Sequence, residues 1–137
     1  MKGKILVVDD EASVRELFDS VFTGADYEVI SAATGTEALE ILKYESIDVI
    51  FLDLKLFGMN GIELCRQIRK TKPVSLIYAI TGWAALFEID ECREAGFDDY
   101  FEKPLDMDML LKLVEQAFAR LQRWKQRYNS IQSNDGK

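Results

Sequence analysis

At 137 residues, 48% hydrophobic and 30% charged, the chain has the length of one domain and a composition that supports a packed core, not a disordered or collagen-like segment. A net charge of −7 opposes direct binding to nucleic acid or anionic lipid, whose phosphates attract Lys and Arg. Histidine is absent, so histidine nucleophiles, bases and metal sites are excluded, and the two cysteines, Cys65 and Cys92, sit in helix-like patterns with no secretory segment before them, which makes a reducing cytoplasm the expected location.

Five short apolar runs read as strands: residues 4–8, 27–31, 47–52, 75–80 and 98–101. Several lack polar alternation, the mark of strands buried on both faces. After the first, Val14, Leu17, Phe18, Val21 and Phe22 form a helical stripe, with Ser13 and Glu16 as a capping pair. Thr34 with Glu37, and Asn60 with Glu63, mark two more helix starts, the latter burying Leu64, Cys65 and Ile68. A fourth helix runs from about Ala84 to near Gly96, and Asp106 caps the last one after Pro104. Strict β–α alternation predicts an α/β fold: a doubly wound, five-stranded parallel sheet of flavodoxin-like type between two helical layers.

Such sheets gather functional groups beyond the carboxyl ends of their strands, where Asp9, Asp10, Asp53, Thr81 and Lys103 fall. The first and third strands are expected to be neighbours at the reversal of winding, which puts their carboxylates in one pocket. Clustered carboxylates are costly to ionise unless a divalent cation neutralises them, and an all-oxygen set suits Mg²⁺, with Mn²⁺ the second choice, over zinc. Taken singly, Asp9 and Asp10 fit a turn before a helix, Thr81 a strand end, and Lys103 a solvated loop; their joint placement carries the reading. The Lys103-Pro104 bond is one of the two X-Pro bonds in the chain, and so a site where a cis peptide is open.

Taken together, VVDDE, FLDL, AITG and YFEKP at the ends of four strands resemble the receiver domain of two-component response regulators, over Lys4 to roughly Leu121. The resemblance implies that Asp53 is the phosphoacceptor, that Asp9, Asp10, Asp53 and the backbone carbonyl of Lys55 bind the metal, and that Lys103 and Thr81 hold phosphoryl oxygens. It further implies that Thr81 and Tyr100 form a switch acting on the face made by the fourth helix, fifth strand and fifth helix. The donor would be a histidine kinase or histidine phosphotransfer protein, and the chain a cytoplasmic signalling domain rather than an enzyme with a separate substrate.

Departures from the family pattern are Phe57, where relatives usually carry proline, and Lys55 and Trp83 at flanking positions, where they would hinder water and slow phosphate loss. Trp83, Leu86 and Phe87 are either core or an apolar docking patch. The last helix continues its seam through Leu110, Val114, Ala117, Phe118, Leu121, Trp124 and Tyr128, with Arg120, Arg123, Lys125 and Arg127 beside it and a polar SNDGK end. The expected division is a receiver over 1–121 and a helical extension with polar tail over 122–137, which either pairs with another chain, a homodimer included, or leads to an effector domain; the tail favours the latter. The fourth-helix to fifth-helix face is the other candidate for a homodimer. Two rivals stand beside the receiver: a haloacid-dehalogenase-like phosphatase, which wants a second Asp where Lys55 stands, and a pseudo-receiver that keeps the fold as an interaction module without taking phosphate.

Overall fold

The computed structural model describes residues 1–82 and 86–135. Its elements run β1 (Lys4–Val8), α1 (Ala12–Gly24), β2 (Glu28–Ala32), α2 (Gly35–Tyr44), β3 (Val49–Asp53), a short hairpin of β4 (Lys55–Leu56) and β5 (Met59–Asn60), α3 (Gly61–Thr71), β6 (Leu76–Thr81), α4 (Leu86–Ala95), β7 (Asp99–Glu102) and α5 (Met107–Asp135). The main sheet is parallel with order β2-β1-β3-β6-β7. This is the expected doubly wound sheet, and β1 and β3 are adjacent where the winding reverses.

Alternation along the central strands splits the core in two. Ile5, Val7, Val49, Phe51, Tyr78 and Ile80 face Phe18 and Phe22 of α1 and Leu110 and Val114 of α5. Leu6, Val8, Ile50, Leu52, Ile77 and Ala79 face Leu42 of α2, Leu64, Cys65 and Ile68 of α3, and Cys92 of α4. With both sheet faces covered, the inner strands must be apolar at every position, which is why they carry no polar alternation. Cys65 and Cys92 are free and buried, and burial pushes both thiols up to about 11.

Several local expectations are corrected. Four of the five strands start one or two residues later and end one residue later than their apolar runs, and three of these end on a polar residue because the ladder continues there: Asp53 pairs with Ile80 and Thr81 with Glu102. Ser13 does not cap α1. A turn closed by Glu11 N–H donating to Asp9 Oδ1, 2.9 Å, makes Glu11 the cap residue and leaves Ser13 inside the first turn. Leu17 is 42% exposed and does not join the buried stripe. Thr34 does accept from Glu37 N–H at 3.1 Å, but the Glu37 carboxylate accepts from Ala33 N–H and not from Thr34, and Asn60 accepts from Ile62 N–H, two residues on, not from Glu63.

α4 ends at Gly96, whose φ of +105° is the left-handed conformation a helix stop uses. Asp106 Oδ1 accepts from Met109 N–H, 3.1 Å, as expected of the cap of α5. That helix has no break at residue 122 and carries the polar end as helix through Asp135. Among the described residues no helix is long and apolar enough to cross a membrane.

Candidate functional site

The crevice beyond β1 and β3 is built from strand ends and the turns that follow them. Asp9 leaves β1 with its backbone N–H still bonded to Ala32 O, and its carbonyl accepts from Arg15 Nη1 at 2.8 Å, so this fully buried residue is held from both sides. Asp53 is the last residue of β3 and is also buried. Its Oδ1 accepts from Lys55 N–H at 3.0 Å, which turns the chain into the β4–β5 hairpin. At the tip of this short hairpin stand Phe57, 85% exposed, and Gly58, whose φ of +79° suits glycine.

The hairpin returns so tightly that Gly61 starts α3 against the acceptor strand itself. A Cβ at Gly61 would collide with Asp53 O and lie 2.7 Å from Leu54 Cα and 3.0 Å from Asp53 C, all rigid backbone. Gly61→Ala is therefore expected to lower stability by about 1–3 kcal/mol through overpacking, read as a fall in the urea midpoint at unchanged slope.

Four carboxylates converge: ligand atoms of Asp9, Asp10, Glu11 and Asp53 all lie within 4.8 Å of one another. Lys103, which follows β7 and precedes a cis peptide to Pro104, reaches across to them. Its Nζ is 2.9 Å from Asp9 Oδ2, 3.0 Å from Glu11 Oε1 and 3.4 Å from Asp53 Oδ2. The shortest of the three contacts is the one to the buried Asp9 Oδ2.

One cation among four acids does not neutralise the pocket. Burial pushes the Asp53 carboxyl up to about 6; the N–H of Lys55 opposes this, the charge of Asp9 adds to it, and Lys103 opposes it again. Burial alone would lower the Lys103 ammonium, but Asp9, Glu11 and Asp53 outweigh it and hold it above the ordinary lysine range.

Thr81 is fully buried one residue beyond the partner of Asp53 in the β3–β6 ladder, and its carbonyl accepts from Lys103 N–H at 2.7 Å, so it stands on the same rim. Tyr100 is a β7 residue paired with Ala79, and its hydroxyl donates to Glu102 Oε1 at 2.6 Å on the exposed side, away from the acidic crevice. The side chain of Lys55 is exposed, and its backbone N–H is the group that donates to Asp53. Trp83 and the side chains of Leu86 and Phe87 lie outside the described residues. Glu11 is the residue that the proposed site set omits although the structure brings it in; its place directly after Asp9 and Asp10 was the available signal.

Residues 5–115 match the family described as Response regulator receiver domain. The chain belongs to this family. Among curated relatives, this receiver is 34% identical to Sporulation initiation phosphotransferase F of Bacillus subtilis over 116 residues, 85% of the chain and 94% of the relative. It is 31% identical to the DNA-binding transcriptional regulator NtrC of Escherichia coli over 93% of the chain but only 27% of the relative. A CheY-like receiver domain protein from Methanospirillum hungatei superimposes with a TM-score of 0.84 at 29% identity, over 88% of this chain and 97% of that one. The receiver thus spans nearly all of some relatives and about half or less of others.

Proposed function

We propose that this receiver takes a phosphoryl group on Asp53 from the phosphohistidine of a histidine kinase or phosphotransfer protein. The carrying observation is the convergence of Asp9, Asp10, Glu11, Asp53 and Lys103, from three separate strand ends, on one crevice. A carboxylate oxygen of Asp53 forms the new bond to phosphorus while the donor nitrogen leaves with its electron pair. Such transfer depends on positioning and charge neutralisation more than on acid–base help. Lys103 can follow an oxygen of the incoming group because its ammonium is already held beside Asp53, and Thr81 stands on the rim where a second donor is wanted. Since the chain has no histidine, the donor must be another protein or domain.

The residues fit a divalent metal: hard oxygens only, and four carboxylates, two of them buried, set against the ammonium of Lys103. Asp9, Asp10 and Asp53, with the carbonyl of Lys55, would hold Mg²⁺, or Mn²⁺ in its place. When bound, the ion would offset the carboxylate charge and that of the transferring phosphoryl group.

Uptake would act outward through Thr81 and Tyr100: drawing the Thr81 hydroxyl toward the phosphoryl group would free space for the Tyr100 ring, at the expense of its bond to Glu102, and so alter the face of α4, β7 and α5. The chain acts as a signalling domain whose chemistry is confined to its own uptake and loss of phosphate. Residues 1–121 form the receiver proper and 122–137 an extension. Its output is either onward phosphotransfer or docking to a partner protein, or control of an effector domain.

Intact mass after incubation with a small phosphodonor tests the reading. One added phosphoryl group in the presence of Mg²⁺, none after chelation, and borohydride trapping of the acyl phosphate at Asp53 are expected. Uptake indifferent to the ion, or trapped elsewhere, would overturn it.

A further inference from the structure

Helix α5 keeps one apolar seam along its whole length but buries only the first half. Leu110, Val114, Ala117, Leu121, Trp124, Tyr128 and Ile131 follow one another at alternating steps of four and three, the spacing of a coiled-coil seam. Leu110, Val114 and Ala117 are buried on the sheet, and Leu121 packs at its edge. Past that edge the same face is bare: Trp124 is 64%, Tyr128 62% and Ile131 61% exposed.

The charges that the helix itself carries beside this bare seam have one sign. Between Gln116 and Asn134 there is no acid, in a chain of net charge −7, while Arg120, Arg123, Lys125 and Arg127 all lie there. Arg120, Arg123 and Arg127 form a row along one side and, with Trp124, line a groove of about 200 Å³. Among the described residues, none of the three guanidinium groups makes an ion pair or hydrogen bond. Lys125, on the other flank, makes only an exposed pair with Asp48, 3.5 Å.

These features choose among occupants. Two copies packed in parallel would set Arg120 against Lys125, and in antiparallel would set arginine against arginine and lysine against lysine, so a second copy is repelled in either orientation. A helix lying on a lipid surface needs an apolar face of about 100° or more, whereas this one is a narrow seam backed by uncharged Gln122, Gln126, Asn129 and Ser130. We propose that the exposed half of α5 docks a different helix, one whose own heptad seam is flanked by Asp and Glu, with its carboxylates entering the Arg120–Arg123–Arg127 groove beside Trp124.

The probes are two designed helical peptides with leucine at every seam position, one flanked by glutamate and the other by lysine, titrated calorimetrically into the full chain. The glutamate peptide is expected to bind one to one and the lysine peptide at least about tenfold more weakly, the effect of three or four charge pairs. Arg120→Glu/Arg123→Glu/Arg127→Glu is expected to invert that preference, and Trp124→Ala to remove binding of both, with phosphoryl uptake at Asp53 unchanged. The comparison of peptides on the parent chain stands even where a variant misfolds. Equal binding of the two peptides would overturn the proposal, as would tighter binding to anionic vesicles or duplex DNA than to the glutamate peptide. So would a dimer in light scattering that Trp124→Ala dissolves, since the seam would then belong to a second copy.

Discussion

Asp53→Asn is expected to abolish phosphoryl uptake and, in the absence of divalent cation, to make the protein more stable at neutral pH. The first effect is the loss of the nucleophile. The second follows from the crowding of the pocket. The Asp53 carboxyl is pushed from 3.8 up to about 6 in the folded protein, so the fold binds its proton more tightly than the unfolded chain does. Its contribution is therefore favourable below the unfolded value and is lost as pH rises through about 6, leaving a penalty at pH 7 of about 1–3 kcal/mol. Asparagine removes that penalty and keeps an oxygen for Lys55 N–H. Lys103 is not stranded, because Asp9 and Glu11 are closer to it than Asp53 is.

Urea unfolding of the two proteins across pH 4 to 8 checks both the sign and the window. The variant should gain over the parent above about pH 6, and the difference should close toward pH 4. Saturating Mg²⁺ should stabilise the parent more than the variant and shrink the gap, since a ligand that binds only the folded state stabilises it by mass action. A variant less stable than the parent at pH 7 without metal would show that Lys103 already neutralises the pocket.

The parts of this molecule that were legible in the sequence are those fixed by neighbours along the chain. Uninterrupted runs such as Ile5 to Val8 and Ile50 to Leu52 announce strands covered on both faces, and the order of the runs leads to the sheet. The acidic crevice was legible too, because the rule that strand ends collect function converts five separated residues into one place. What escaped is set by contacts between distant segments. Periodicity ends a strand at its last apolar residue, yet Asp53 and Thr81 remain in the ladder because the strand beside each continues. Ser13 has the look of a cap, but the Asp9–Glu11 turn, a consequence of where β1 stops, begins the helix earlier. The exposure of Trp124, Tyr128 and Ile131 depends on where the sheet ends beneath α5, which no local pattern records.

Arg69 is the strongest instance of such a long-range contact, and its removal is expected to be the most damaging single change outside the crevice. In sequence it is one more basic residue in the last turn of a helix, worth a few tenths of a kcal/mol against the helix dipole. In the structure its guanidinium reaches across 27 residues: Nε donates to Gly96 O at 2.8 Å, Nη1 to the carbonyls of Ser75 and Pro73, and Nη2 pairs with Asp98 Oδ2 at 2.9 Å. Asp98 in turn accepts from Ile77 N–H at 2.8 Å, so one side chain ties the end of α3 to the stop of α4 and the starts of β6 and β7. Arg69→Ala would take this donor from the carbonyls and the cation from the Asp98 carboxylate, which keeps the Ile77 N–H. For a guanidinium that is 19% exposed, the cost is expected to be about 3 kcal/mol, or on the order of 10 °C in unfolding midpoint. Arg69→Lys should recover less than half of this, because a single ammonium cannot span acceptors on both sides of Gly96. Asp98→Ala combined with Arg69→Ala should cost less than the sum of the two, since either change alone already removes the ion pair between them. Because β7 carries Tyr100 and leads to Lys103, the folded fraction of Arg69→Ala should still take up phosphate while the α4–β7 edge exchanges its amides faster than in the parent. A loss below about 1 kcal/mol, or unaltered exchange at that edge, would show that the clamp contributes no more than an ordinary surface pair.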